Sequence, residues 1–423
     1  MSTLIVGYGR SGKAVADYLS AANRPFEVFD EGQVGDTDLK VHSILDSIRW
    51  SSIERVVVSP GIASDHQLLK KAESLGKEII SEIEFAYQNC DGPVVAVTGS
   101  NGKSSTVTML ESIFKAAGRD VQLCGNIGKP FTRAVIENSK AIFVVEISSF
   151  QLETVSTFKP RVALLLNVTP DHLDRHGSFE AYEQAKLKLF RNQEKGDTAL
   201  VPTGYLRKVP GKARVLEVPG DAGRIENSCV FLGTAELSRI DNPILRSPHQ
   251  RLNSLFAALA ALEMGVSIDR IQSGLNAFPG LKHRMEVVGQ FQGVTWINDS
   301  KATNTDSTQV ALKAMTTPYI LILGGKNKDA DFSVLDFSNG EPEKLILYGQ
   351  AADEIGEALR SMKPEIHRDF KEAVLKAWSD SSPGQVILLS PGCASFDQFG
   401  NFELRGEAFR DLFKEVSSGG LSV

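Results

Sequence analysis

Cysteine is scarce in this chain of 423 residues: Cys90, Cys124, Cys229 and Cys393 stand far apart, and none forms a Cys-x-x-Cys pair. The usual zinc and dithiol spacings are therefore absent, and four thiols over this length make no disulfide framework, so reduced core cysteines are expected. No apolar run approaches the roughly 18 residues of a membrane-spanning helix. The N-terminus has no basic segment leading into an apolar stretch, and a cytoplasmic protein with no membrane partner is expected. A basic excess is missing too: 46 Lys+Arg against 52 Asp+Glu leave a formal charge of -6. Without a positive field a nucleic-acid partner is not expected, although bulk charge says nothing about a single nucleotide. No internal repeat occurs, and low complexity is confined to the tail 417–423.

What the chain does contain is an ordinary globular composition, 42% hydrophobic and 23% charged. At roughly 150 residues per domain its length suggests three. In the first, Thr3–Val6, Phe26–Phe29 and Arg55–Ser59 read as short buried strands, with a helix over 13–22 between the first two. Pro60-Gly61 marks a turn. In the second, strands read at 93–98, 141–146 and 162–168. Helices read at 106–117, 179–190 and 252–264, the last with Leu255, Ala258, Leu259 and Leu262 on its apolar face. The stretch 192–242 reads as turns and short strands, and 280–284 as a linker. Beyond it, strands at 294–297, 319–323, 344–347 and 385–389 are spaced by amphipathic segments such as 351–362. Alternating strands and helices mean parallel, doubly wound sheets. The expected fold is α/β in three domains: a Rossmann-like domain over 1–82, a central P-loop mononucleotide-binding domain over 83–281, and a C-terminal Rossmann-like α/β domain over 282–423.

Between the strand at 93–98 and the following helix lies Gly99-Ser100-Asn101-Gly102-Lys103-Ser104-Ser105. Glycines let backbone N–H groups turn inward around phosphate oxygens, and the helix start adds its positive end. Lys103 is placed to reach β- and γ-phosphates and the Ser104 hydroxyl to ligate Mg2+. The strict pattern would need glycine where Val97 stands, so the loop is a shortened relative; ATP is expected, with GTP not excluded by the loop alone. Glu146 ends a strand of the same sheet, followed by Ser148. The strand at 162–168 runs into Asn167, Asp171, His172, Arg175 and His176. So many polar side chains at one strand's carboxyl end point to a binding site, although each alone is as readily a cap or turn.

In order and spacing Gly99–Ser104, Glu146-Ile147-Ser148-Ser149, Asn167-Val168-Thr169-Pro170-Asp171-His172-Leu173-Asp174-Arg175 and Ala185-Lys186-Leu187 resemble the Mur ligase superfamily, over essentially the full chain. These motifs are common to the four cell-wall ligases and folylpolyglutamate synthase. The segments 283–287, 296–304, 323–328 and 390–399 resemble the member that adds D-glutamate to UDP-N-acetylmuramoyl-L-alanine, and the Asp-Asn-Pro-Arg signature of the diaminopimelate-adding member is absent. The resemblance implies a monomeric ATP-dependent ligase of peptidoglycan synthesis. Lys103 and its loop would hold the ATP phosphates, with Asn253, Arg284 and Asp299 at the rest of that nucleotide. Two Mg2+ sites would fall on Ser104 with Glu146 and on His172 with Lys186, the lysine carbamylated by CO2. Catalytic roles would then belong to Lys103, Glu146, His172 and Lys186. Asn126, Ser148 and Arg175 would face the muramoyl substrate; Lys301, Thr303, Lys328, Ser395 and Phe402 would face D-glutamate. Gln250 departs from the asparagine expected at the adenine.

The first domain carries a competing signal. Gly7-Tyr8-Gly9-Arg10-Ser11-Gly12, with Asp30 18 residues on, fits the dinucleotide fingerprint and by itself supports an NAD-dependent oxidoreductase. A second nucleotide loop is needless in such an enzyme. The resemblance resolves this by placing the UDP of the substrate there, with Asp30, Ser59, Pro60 and Gly61 as further contacts. Other readings are a sister ligase with another acceptor and a nucleotide-switched binding protein.

Overall fold

The computed structural model describes residues 2–32, 39–63, 65–171, 173–226, 229–237, 240–327 and 330–419. The chain divides into two compact units, Met1–Phe278 and Pro279–Val423. The first holds two parallel sheets and a small antiparallel one; the second holds one mixed sheet. Together they make the three-domain α/β architecture.

In the first sheet the spatial order is Val41–His42, Phe26–Phe29, Ser2–Val6, Ile53–Val58, Glu78–Ser81, all parallel. Strands buried on both faces read as continuous apolar runs. Here Leu4 and Val6 pack into one layer and Ile5 into the other. The order reverses direction between Ser2–Val6 and its neighbour Ile53–Val58, the switch point at which ligands dock in such sheets. The loops at Gly7 and Ser59 emerge side by side there, joined by a 2.9 Å bond from Ser59 Oγ to Gly7 O.

The central sheet runs Arg214–Val218, Thr198–Pro202, Val162–Leu165, Val94–Thr98, Ile142–Glu146, Val121–Gly125, again all parallel. Alternation divides its core: Val95 and Val97 join the layer of helices Lys103–Ala116 and Pro248–Glu263, and Val94 and Ala96 join that of helix Phe131–Glu137. The stretch 192–242, expected as turns and short strands, holds two of these parallel strands, Thr198–Pro202 and Arg214–Val218, and the antiparallel strands Gly223–Glu226, Cys229–Leu232 and Ala235–Leu237. One expectation fails: Leu262 is 37% exposed, whereas Leu255, Ala258 and Leu259 are buried. Ala260 and Ala261 of the same turn are fully buried, so the buried face of helix Pro248–Glu263 is centred on those residues and leaves Leu262 at its rim.

In the second unit the order is Glu286–Phe291, Val294–Asn298, Val386–Gly392, Tyr319–Gly324, Lys344–Tyr348, Glu365–Ile366, with only the first edge strand antiparallel. Trp296, Ile320 and Ile322 face one layer and Ile297, Leu321 and Leu323 the other. The carboxyl ends of Val294–Asn298, Val386–Gly392 and Tyr319–Gly324, three adjacent strands, place 299–303, 393–395 and 325–327 in one neighbourhood. No helix among the described residues is long and apolar enough to cross a membrane.

Candidate active site

The phosphate loop is built by backbone conformation. Gly99 and Gly102 sit at φ +150° and +87°, where a side chain is strained, and Gly102 immediately precedes helix Lys103–Ala116. Space also requires glycine at 102, because a Cβ there would lie 2.6 Å from Asn253 Oδ1. The Asn253 amide on helix Pro248–Glu263 is thus pressed against the loop, and Gln250 lies beside it, its Oε1 accepting from Asn253 Nδ2 at 3.4 Å. Lys103 Nζ folds over the loop and donates to Gly99 O and Ser100 O at 2.8 and 2.9 Å.

Neighbouring strand ends clamp this loop. Asn101 N donates to Asn167 Oδ1 at 2.9 Å, and Asn167 Nδ2 returns a bond to Asn101 O at 3.0 Å. Ser100 Oγ donates to Thr169 O and accepts from Thr169 N, each at 3.0 Å. Glu146 accepts from Asn126 Nδ2 at 2.8 Å through Oε1, while Oε2 is buried with no hydrogen-bond partner among the described residues. Ser105 Oγ is buried and has no partner among the described residues, and the Ser104 side chain is buried at the helix start. An orphaned carboxylate oxygen beside a phosphate loop costs stability and fits a divalent cation, so the donor set suits Mg2+.

Lys186 is 1% exposed and donates from Nζ to Gly99 O at 2.9 Å, with the amine 4.3 Å from the centre of the Tyr182 ring. Burial, then the charge of Lys103, push its pKa down from 10.5 to about 7, against a smaller opposing pull from Asp171. Near neutral pH the free amine is therefore well populated, a nucleophile at the edge of the loop. His172 lies outside the described residues, so its expected place beside Lys186 stays an expectation.

Within the same unit, the residues of 7–12, 30 and 59–61, expected at the UDP of a substrate, lie at the first sheet's switch point. Gly7 is at φ +87°, and a Cβ on Gly12 would fall 2.0 Å from Gly7 O, so the helix starting at Arg10 packs as close as the chain allows. Asp30 accepts from Tyr8 N at 2.6 Å and Gly32 N at 2.8 Å. Arg10 donates to Gly128 O. Arg175 donates to Pro60 O and Ile62 O, each at 3.2 Å, and to Glu153 at 3.1 Å, over the Phe150 ring. This side chain joins the Ser59-Pro60-Gly61 turn to the central domain. Ser148 caps helix Ser149–Leu152 in a capping box with Gln151. Gly9 and Gly61 are exposed and Ser11 is half-buried.

In the second unit Asp299 is buried, accepting from Met285 N at 3.1 Å and Ser390 Oγ at 2.8 Å; burial raises its pKa to about 7, against weaker pulls from the Ser390 bond and Arg284. Arg284 leaves its Nε buried without a partner among the described residues. Lys301 Nζ lies 5.5 Å from the centre of the Phe402 ring. Gly392 N donates to Ala302 O at 2.9 Å, which holds the strand end leading to Ser395 against the segment bearing Thr303. Lys328 lies outside the described residues.

Two side chains shape these sites without having been singled out by sequence. Tyr182, four residues before Lys186, faces that amine and shares a 3.1 Å bond with Ser100 Oγ. The i, i+4 spacing was the available signal. Arg405 is fully buried three residues after Phe402.

Three family models match in succession: "Mur ligase MurD-like, N-terminal domain" over 1–81, "Mur ligase middle domain" over 97–213 and "Mur ligase, glutamate ligase domain" over 283–393. The chain is 36% identical over 444 residues to the UDP-N-acetylmuramoylalanine--D-glutamate ligase of Thermoanaerobacter pseudethanolicus, covering 98% of both. It is 37% identical over 447 residues to the ligase so named in Pelotomaculum thermopropionicum, again 98% of both. Among solved structures it is similar in fold to MurF from Acinetobacter baumannii (TM-score 0.65, 18% identity, 98% of this chain and 90% of that one). UDP-N-acetylmuramate-alanine ligase MurC from Thermotoga maritima is similar too (TM-score 0.63, 15% identity, 98% and 100%).

Proposed function

The chain belongs to the Mur ligase family, and on that premise we propose that it joins D-glutamate to UDP-N-acetylmuramoyl-L-alanine at the expense of ATP, in cytoplasmic synthesis of peptidoglycan precursors. The observation that carries this reading is likeness across 98% of the chain to D-glutamate-adding ligases at 36–37% identity. The likeness reaches the amino-acid-binding domain, where family members differ.

The substrate's alanyl carboxylate attacks the γ-phosphorus of ATP, forming an acyl phosphate and releasing ADP. The D-glutamate amine then attacks the acyl carbon, phosphate leaves, and an amide remains. The backbone N–H groups of Gly99–Ser105 and the Lys103 amine offset the charge gathering on the transferred group, the main contribution a protein makes to phosphoryl transfer. Ser104 and Glu146 would hold one Mg2+ and His172 with Lys186 a second. Bound there, the metal neutralises phosphate charge. Lys186, with its lowered pKa, would add as a free amine to CO2, releasing one proton and becoming an anionic carbamate suited to a cation. Asn253, Arg284 and Asp299 are assigned to ATP. To the UDP substrate we assign Gly7, Tyr8, Gly9, Arg10, Ser11, Asp30, Ser59, Pro60, Gly61, Asn126, Ser148 and Arg175. Lys301, Thr303, Lys328, Ser395 and Phe402 are assigned to D-glutamate. The working form is a monomer with domains 1–82, 83–281 and 282–423.

Phosphate release from ATP, UDP-N-acetylmuramoyl-L-alanine and D-glutamate, each omitted in turn, tests the reading. Turnover requiring all three is expected; turnover with another amino acid and none with D-glutamate would overturn the acceptor, and hydrolysis indifferent to the amino acid would overturn the ligase.

A further inference from the structure

The guanidinium of Arg405 is 0% exposed, and among the described residues no carboxylate forms an ion pair with it. An arginine has five N–H donors, and all five are spent inside the protein. Nε donates to Ser300 Oγ at 2.9 Å, Nη1 to Tyr348 Oη and Cys393 O at 3.1 Å each, and Nη2 to Ser300 O and Cys393 O at 2.8 and 3.1 Å. No donor is left for a substrate carboxylate, so this cation does not bind the amino acid directly.

What it does hold is the set of segments on which the amino-acid site depends. Ser300 lies between Asp299 and Lys301, and its hydroxyl donates onward to Phe402 O at 2.8 Å. Cys393 lies two residues before Ser395, and between them Ala394 exchanges backbone bonds with Lys326 at 2.8 and 3.1 Å. Tyr348 ends the strand Lys344–Tyr348 and packs edge-on against Phe370. One planar fork thus ties three strand ends and the start of helix Phe402–Ser417 together. Burying an unpaired cation is costly, and the planar guanidinium holds the groups it bonds in one arrangement.

We infer that Arg405 is a positioning residue for the incoming amino acid: it sets the relative placement of Lys301, Ser395 and Phe402 without touching the substrate. The inference rests on the proposed D-glutamate site. Its test is Arg405→Lys in the full-length enzyme, since an ammonium keeps the charge but its single nitrogen cannot span Ser300, Tyr348 and Cys393. The KM for D-glutamate is expected to rise about tenfold or more while the KM for ATP stays within about twofold. Unchanged D-glutamate KM, an equal rise in both constants, or a lowered melting temperature with neither constant altered would overturn it. Tyr348→Phe removes one acceptor with little change of volume and decides the matter if the lysine variant does not fold. A rise in D-glutamate KM of about two- to fivefold is expected, and none would count against the role. Should the wild-type enzyme use a different amino acid, the acceptor assignment fails, and the same comparison made with that amino acid still judges Arg405.

Discussion

Replacing Lys186 by methionine should stabilise the protein at neutral pH and abolish its activity. The side chains are similar in length, but only the lysine brings a charge to a site that disfavours it. A drop in pKa from 10.5 to about 7, at about 1.4 kcal/mol per tenfold, corresponds to about 5 kcal/mol of disfavoured protonation. The sign follows from the direction of the shift. Below pH 7 the lysine is charged in both folded and unfolded chains, so the whole penalty weighs on the fold. Between about 7 and 10.5 the folded chain has shed the proton while the unfolded one still binds it, and the penalty fades as pH rises. Methionine escapes the penalty but forfeits the bond to Gly99 O and the contact with Tyr182, about 1–2 kcal/mol together. The variant should therefore melt higher at pH 6.5 by about 5 °C or more, and no higher, or lower, at pH 10. Thermal unfolding in CO2-free buffer followed across that range is the assay. A difference between the two proteins that stays constant with pH would refute the lowered pKa and with it the amine's readiness to take up CO2.

Gly102→Ala places a Cβ at φ +87° and 2.6 Å from Asn253 Oδ1; a cost of about 1–3 kcal/mol is expected, seen as a raised KM for ATP, and an unaltered KM would contradict the loop's role. Lys103→Ala should lower kcat by about a hundred- to a thousandfold with the circular dichroism spectrum unchanged; retained turnover would remove this amine from phosphate binding. Glu84→Gln should cost about 1 kcal/mol in urea unfolding, because both carboxylate oxygens accept amides, those of Ser156, Thr157 and Phe158, and a Gln keeps only one acceptor oxygen. Burial works to raise the Glu84 pKa, but bonds from Thr157 and Ser156 outweigh it and leave it below 4.5. Its stabilisation is present above pH 4.5 and lost as pH falls through the lower folded value, so the two proteins should converge in acid; a gap that persists there would argue against this account.

Local pattern carried the sequence reading a long way, and it failed where long-range geometry decides. Phe26–Phe29 is a strand over the residues expected, because an apolar run bounded by turn residues has one reading. Helix Lys103–Ala116 starts three residues earlier than its apolar periodicity suggested. Gly102 ends the loop abruptly and leaves Lys103 to Ser105 in the first turn, where polar residues mask the amphipathic signal. Strands Glu78–Ser81 and Val121–Gly125 were passed over, being four and five residues with little apolar contrast. The antiparallel edge strand Glu286–Phe291 was absorbed into a motif. In the site, residues within one contiguous motif were legible. The contact of Gly102 with Asn253, 151 positions apart, was not, nor was the network around Arg405, whose partners lie 12 to 105 positions away. Such relations exist only once sheets have brought strand ends together.

The first domain shows how the same local signal can serve two chemistries. Gly7-Tyr8-Gly9-Arg10-Ser11-Gly12 has the glycines expected where a helix start meets a pyrophosphate, and the close approach of Gly12 to Gly7 O is the helix-packing part of that pattern. In a dinucleotide site the acidic residue at the end of the second strand turns to a ribose. Asp30 instead spends one oxygen on Tyr8 N and the other on Gly32 N, so it braces the loop that surrounds it. Each oxygen keeps a second lone pair, so a hydroxyl could still join, but the carboxylate's direction is set by the protein. That geometry suits a diphosphate held at the loop better than recognition of a particular nucleoside. On this reasoning Asp30→Asn, which exchanges one acceptor oxygen for an NH2 facing an amide donor, should loosen the loop. It should raise the KM for the uridine substrate about tenfold and leave that for ATP unchanged. An effect on ATP alone would place the fuel at the first sheet and reverse the two nucleotide assignments.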